Sequence, residues 1–329
     1  MSLPLGLEPQ VLSISRWLVA SGAGGAPSGG PVPLPTSLVL VNQPVRSAEL
    51  LQLLWAQVCL VVCADGAANR LFDHFSTSPE DQARFVPDII TGDLDSIRAE
   101  VRDYYATRGS HVVLMSGQDD TDLDKALVQA HMRLGSQADA IVLDCLEGRL
   151  DHTMQTMNSA LLYGKGHHAG LARAMGPTGS PIPPTPLLEA SQAPRCLLLG
   201  PASAAVVLEP GSYILECDAD VEGPTCGLIP LSDSRPVVWS RGLAWDLDGA
   251  ELSFGGLISS SNAFSPVQPT IHGDGTVTMP SSRRSACQRA VLEHDAPAKH
   301  SADGASKRIV CLRVEGASVL WTVELPQRD

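Results

Sequence analysis

The sequence predicts an α/β domain followed by an all-β domain. Three observations support this. Short continuous apolar runs alternate with amphipathic helical patterns as far as residue 210, which argues for a parallel sheet covered on both faces. After Gly211 the texture changes to short strand-like segments separated by turn residues. An apolar content of 44% over 329 residues is ample for two cores.

Taken in order, residues 1–37 read as a flexible N-terminal extension, because 19–37 are rich in Gly, Ala, Ser and Pro. Residues 38–210 form the α/β domain. Its buried-strand candidates are SLVLVN at 37–42, VCLVVCADG at 58–66 and ADAIVLDCL at 138–146. Helical patterns at 48–56, 96–107 and 122–134 lie between them, and in the last of these Leu123, Ala126, Leu127, Ala130 and Leu134 mark one face. The alternation suits a Rossmann-like sheet with flanking helices, whose ligands gather at the carboxyl ends of the strands. Residues 164–195, dominated by Gly, Pro, Ser and Ala, read as an exposed insertion in which His167 and His168 are incidental. CLLLG at 196–200 and AAVVLE at 204–209 resume strand character. Residues 211–329 form the second domain, a β-sandwich or barrel. Its strands are SYILECD, PVVWSRGLAWDL, AELSFG, GTVTM, KRIVCLRV and SVLWTVEL, with VEGAS as a hairpin joining the last two and 280–307 as a mobile polar loop.

Charge narrows the partners. The net charge is −13 and no run of Lys or Arg forms a stripe, so neither nucleic acid nor an anionic membrane is an expected partner. No stretch of about 18 uninterrupted apolar residues is present to span a bilayer, and the N-terminus lacks a signal pattern. The eight cysteines include no CxxC pair and read as reduced thiols. The expected location is the cytoplasm.

Four acidic loops carry the chemical signal. ADGAANRL brings Asp65, Gly66 and Asn69 to the end of a strand; TGDLDS brings Asp93 and Asp95; GQDDTDLDKAL brings Gln118, Asp119, Asp120, Thr121 and Asp122 to the start of a helix; EGRLDH brings Gly148, Arg149, Asp151 and His152. Singly, each has an ordinary explanation. Asp93 and Asp95 suit a solvated turn, Thr121 with Asp124 is a capping box, and Arg149 with Asp151 is a surface ion pair. Jointly, the loops would converge on one edge of an open sheet, where two carboxylates roughly 5 Å apart repel by about 3 kcal/mol at an effective dielectric near 20. A hard divalent cation such as Mg²⁺, bound with a polyphosphate, resolves the conflict. Gly66, Gly92 and Gly148 would let backbone amides approach the phosphates, and Arg149 would supply a bidentate cation.

Competing motifs fail on their letters. There is no GxxxxGK[ST], and no GxGxxG follows a strand. A calcium loop starting at Asp120 would need Gly where Lys125 stands and Glu where His131 stands. An aspartate-nucleophile phosphatase motif at DLDSI would need Thr or Val in place of Ile97.

The ordered series LVLVNQP, CADGAANRLFD, PDIITGDLDSIRAEVRDYYATRG, QDDTDLDKAL, GRLDHTMQTMNSALL, CGLIP, GLAWDL, LSFGGLISSSNAF and VLWTV, from about 38 to 325, resembles the thiamine pyrophosphokinases of the eukaryotic kind. The resemblance implies conversion of ATP and thiamine to thiamine diphosphate and AMP, with Mg²⁺, in a homodimer that binds thiamine between its subunits. It implies metal and ATP residues at Asp65, Asp93, Asp95, Asp119, Thr121 and Asp122, with Arg149 and Asp151 nearby and Asn69 in the same loop set. The metal ligands would be Asp65, Asp93, Asp95 and Asp122. Thiamine would meet Gln118, Trp245, Ser259, Ser261 and Asn262. Asp122, Asp95 and Asp151 are the alternatives for accepting the hydroxyl proton, beside a solvated path with no dedicated base. His152, the 164–195 insertion and the 280–307 loop depart from the compact family pattern. Two rival readings are another Mg²⁺-dependent pyrophosphoryl or nucleotidyl transferase and a non-catalytic thiamine- or nucleotide-binding protein.

Overall fold

The computed structural model describes residues 2–6, 9–19, 35–117, 119–135, 138–168, 170–171, 195–280 and 307–326. Its described residues fall into two compact units, one of 35–201 and one that joins 2–19 to 202–326. The N-terminal segment therefore differs from the expected extension. It carries β1 (Leu3–Pro4), β2 (Gln10–Leu12) and the single-turn helix α1 (Ser15–Leu18). Leu3, Leu5, Leu12, Ile14 and Leu18 are buried; these few apolar side chains are diluted in the sequence by the Gly- and Pro-rich run that follows.

In the first unit, β3 (Thr36–Leu40), β4 (Leu60–Ala64), β5 (Ile89–Gly92), β6 (His111–Leu114), β7 (Asp139–Leu143) and β8 (Cys196–Leu199) form a parallel sheet in the order β8-β7-β3-β4-β5-β6. All but the edge strand β6 are buried along their whole length, as continuous apolar runs require. The helices are α2 (Ala48–Trp55), α3 (Ala67–His74), α4 (Pro79–Arg84), α5 (Ala99–Ala106), α6 (Asp122–Leu134) and α7 (Leu150–Gly164). Successive strands run outward from β3 to β6 and then resume on the other side of β3 at β7. This reversal opens a crevice at the carboxyl ends of β3 and β7, where ligands of such sheets bind.

The fate of α6 corrects two expectations. It packs on β3, β4 and β5, as its apolar face predicts, yet all nine residues from Leu123 to His131 are buried. Its other face is covered too: the His131 ring stacks on Tyr163 of α7 at 4.4 Å, and His168, expected to be incidental in an exposed insertion, is fully buried against Asp124. Residues 169 and 172–194 of that insertion lie outside the described residues, as do 281–306 of the expected loop, Cys287 among them.

The second unit adds β9 (Ser203–Leu208), β10 (Gly211–Asp218), β11 (Thr225–Pro230), β12 (Val237–Arg241), β13 (Asp248–Glu251), β14 (Ser259–Ala263), β15 (Thr270–Ile271), β16 (Thr276–Thr278), β17 (Lys307–Glu315) and β18 (Val319–Glu324). One sheet has the order β13-β12-β17-β10-β2, a second set pairs antiparallel as β14-β11-β18-β9, and a small sheet runs β1-β16-β15. β9 was expected in the α/β domain, but it pairs with β18 along its full length. The expected β17–β18 hairpin does not form either. β17 pairs with β10 and β12, whereas β18 pairs with β11 and β9, so the turn at Gly316 (φ 81°) carries the chain from one sheet to another. Among the described residues, no helix is long and apolar enough to cross a membrane.

Candidate active site

β4 ends at Ala64, and the chain bends at Asp65 (φ 40°) before entering α3. Asp65 is 1% exposed. Its Oδ2 accepts from the backbone N–H of Ser96 at 3.0 Å and its Oδ1 from that of Ile97 at 3.1 Å. Burial raises its pKa, the Ser96 N–H opposes that, and the nearby charge of Asp122 raises it further. A carboxylate held in place while its charge is disfavoured is suited to receive a cation. β5 delivers the second loop, where Leu94 takes φ 61°, the Asp95 N–H donates to Asp93 Oδ1 at 3.4 Å and the Ser96 hydroxyl donates to Asp95 Oδ1 at 2.8 Å. Asp65, Asp93 and Asp95 each offer a carboxylate oxygen, and the three lie within 4.8 Å of one another. An all-oxygen anionic set fits a hard divalent ion.

Asn69, one turn into α3, spends its amide on this loop. Nδ2 donates to Ser96 O at 2.9 Å and Oδ1 accepts from the Arg98 N–H at 3.0 Å, so it clamps the acidic loop rather than offering a free ligand atom. Asp122 lies outside the trio, across Gly92. A Cβ on Gly92 would come within 2.7 Å of Asp65 Cβ and 2.9 Å of Asp122 Oδ1. Asp122 Oδ1 is paired with the buried Lys125 ammonium at 3.1 Å. Thr121 caps α6 in a full capping box with Asp124, and Asp119 is exposed just before it.

A cavity of about 270 Å³ opens beside these groups at the crevice. Its wall takes Asn42 and Gln43 from the end of β3, Gly66, the α6 start at Thr121 and Asp122, Glu147 after β7, and His152 and Gln155 of α7. Three of the four acidic loops thus line it, through Gly66, through Thr121 and Asp122, and through Glu147 and His152, while the loop of Asp93 and Asp95 meets the others at Asp65. Arg149 and Asp151, between Glu147 and His152, are outside the lining: they are mostly exposed and pair with each other at 2.5 and 3.1 Å, Arg149 lowering the Asp151 pKa. Gln118 lies outside the described residues.

The second unit holds its own polar cluster. Asn262 of β14 is 3% exposed; its Nδ2 donates to Trp245 O at 2.9 Å and to Ser259 Oγ at 3.3 Å, and its Oδ1 accepts from the Trp245 N–H at 3.2 Å. Asp246 Oδ1 fixes the same loop through the Leu243 N–H at 2.9 Å. The outcome is a rigid loop that displays Trp245, 48% exposed. Ser261 takes φ 56° beside the irregular register of β11 and β14.

The chain matches the thiamin pyrophosphokinase catalytic domain over residues 51–169 and the thiamin pyrophosphokinase vitamin B1 binding domain over residues 212–277. Thiamine pyrophosphokinase 1 of Oryza sativa subsp. japonica is 33% identical over 237 residues, covering 69% of this chain and 79% of the relative. The chain belongs to the thiamine pyrophosphokinase family. The thiamine pyrophosphokinase of Saccharomyces cerevisiae is 27% identical over 253 residues, covering 70% and 79% of the two chains. Among solved structures, thiamin pyrophosphokinase from Candida albicans aligns with a TM-score of 0.65 over 97% of this chain and 93% of that one, at 17% identity, and the yeast thiamin pyrophosphokinase with 0.66 over 96% and 91%, at 18% identity. At such identities the structural likeness bears on the fold.

Sequence reading missed Lys125, His168 and the cavity residues Asn42, Gln43, Glu147 and Gln155. One signal was available for Lys125, which stands between the core-facing Leu123 and Ala126, where a charge needs a partner.

Proposed function

We infer that this chain transfers the diphosphate of ATP to the hydroxyl of thiamine, giving thiamine diphosphate and AMP. The observation that carries the reading is the carboxylate trio at the carboxyl edge of the sheet, in a chain whose family relatives are named thiamine pyrophosphokinases. The parallel sheet with its reversal at β3 supports a Rossmann-like ATP unit, and the largely antiparallel sheets support a sandwich-type thiamine unit. Free thiols among the described cysteines support a reducing compartment such as the cytosol.

Asp65, Asp93 and Asp95 would hold Mg²⁺. When bound, that ion supplies charge neutralisation and orientation of phosphate oxygens. The chain's own residues do the rest. Asn69 and the Ser96 and Ile97 amides keep the acidic loop in place, and the N-termini of α6 and α7 turn their partial positive ends toward an anion in the cavity. The hydroxyl attacks the β-phosphorus in line and AMP leaves, so positioning dominates. Asp122 is the proton acceptor we favour over Asp95 and Asp151, because its carboxylate lines the cavity whereas Asp95 belongs to the metal trio and Asp151 is paired with Arg149. Trp245 offers an exposed indole face to the cationic thiazolium, with Ser259, Ser261 and Asn262 shaping its loop. Exposed Trp245, Phe254 and Leu257 support a homodimer in which a second subunit helps cover thiamine.

The test is purified protein with thiamine, ATP and Mg²⁺, scored for equal amounts of thiamine diphosphate and AMP. Asp93→Asn is expected to lower turnover by at least about a hundredfold with an unchanged melting temperature. Full activity in that variant, or ADP as product, would overturn the assignment. Thiamine affinity without turnover in the wild type would favour a binding protein.

A further inference from the structure

The segment leaving α7 returns a histidine to the covered side of α6. His168 is fully buried, and its Nε2 lies 2.8 Å from Asp124 Oδ1. A carboxylate only accepts, so Nε2 carries the proton. Nδ1 has no hydrogen-bond partner among the described residues, and the ring sits against His131 and Tyr163 with centroids at 6.5 and 5.8 Å. The other oxygen of the same carboxylate, Asp124 Oδ2, accepts from the Thr121 hydroxyl at 2.6 Å and from the Thr121 N–H at 3.2 Å. The carboxylate is thus gripped from both sides. Thr121 and Asp122 line the cavity, and Asp122 also approaches Asp65 across Gly92.

We propose that His168 is a positioning residue for the reaction, acting through Asp124 to set Thr121 and Asp122 at the nucleotide end of the cavity. The inference rests on reading the α/β unit as the ATP site. Charge-assisted hydrogen bonds in a dry setting are short and directional. Without the imidazole, Asp124 is free to turn toward other donors and release the Thr121 backbone. His168 lies at the start of a segment set aside on composition, 44 positions from its partner.

Steady-state kinetics on full-length protein separates positioning from simple packing. Wild type, His168→Gln, His168→Phe and the paired Asp124→Leu/His168→Phe variant are compared for kcat, KM for ATP and KM for thiamine, together with Tm. Gln places an N–H near the position of Nε2, so it should keep kcat/KM for ATP within about threefold of wild type, while His168→Phe loses about thirtyfold with KM for thiamine unchanged. The paired variant strands no buried charge and should show the same loss with a Tm near that of wild type. Wild-type kcat/KM in either Phe-bearing variant overturns the proposal, as does a loss that Gln fails to recover. Insolubility of both Phe-bearing variants would mark the role as structural and overturn it too. Wild type that makes no thiamine diphosphate overturns the functional reading along with it, whereas an active wild type with indifferent variants overturns the positioning role alone.

Discussion

Gly92 closes β5 at the point where two carboxylates from other elements approach, Asp65 after β4 and Asp122 at the start of α6. A methyl group there would meet Asp65 Cβ at 2.7 Å and Asp122 Oδ1 at 2.9 Å, so Gly92→Ala must push one acid away. We expect a loss of about a hundredfold in turnover with correct folding, checked by kinetics beside circular dichroism. Asp93 and Asp95, which follow Gly92, were legible from sequence, since a glycine followed by two closely spaced aspartates after an apolar run is a local pattern. His168 was not, and Lys125 showed only as a charge set between core-facing positions. A buried polar side chain is explained by its partner, and for His168 that partner lies on another helix.

At the scale of elements, α6 shows what periodicity can and cannot say. Its capping box, Thr121 with Asp124, was readable and is present. Thr121→Ala should cost about 1 kcal/mol of stability in urea titration and also raise KM for ATP, because the same residue lines the cavity. Contact with β3, β4 and β5 agrees with the apolar stripe, but Asp124 and His131 on the α7 side and Lys125 and Gln129 toward Asp122 and Met115 are buried as well, positions that hydropathy assigns to solvent. β5 and β6, four residues each, are too short to stand out as strands. The β17–β18 hairpin reading failed because a tight turn with alternating flanks has the same local sequence whether its strands pair with each other or with separate sheets.

For the whole molecule, each unit carries a buried acid whose charge is disfavoured. Burial pushes Asp144, at the end of β7, up to about 6 and Glu222, after β10, up to about 7. Folding therefore favours their protonated forms. The stability they contribute is complete below the carboxylate pKa of the unfolded chain, about 4, and is lost as pH rises through 6 and 7. Glu222→Gln keeps the shape and removes the titration. It should match wild type at pH 4 and exceed it at pH 8 by about 3 kcal/mol in order of magnitude; equal denaturant midpoints at both pH values would refute this.

β1 and β2 belong to the second unit although the whole α/β unit lies between them and their neighbours β16 and β10. A ribosome therefore releases those two strands long before anything exists for them to join. The nested α/β unit can complete its sheet while synthesis continues, whereas its host must wait for the closing strand of the chain, and any cut that detaches the opening nineteen residues removes a piece of the far unit.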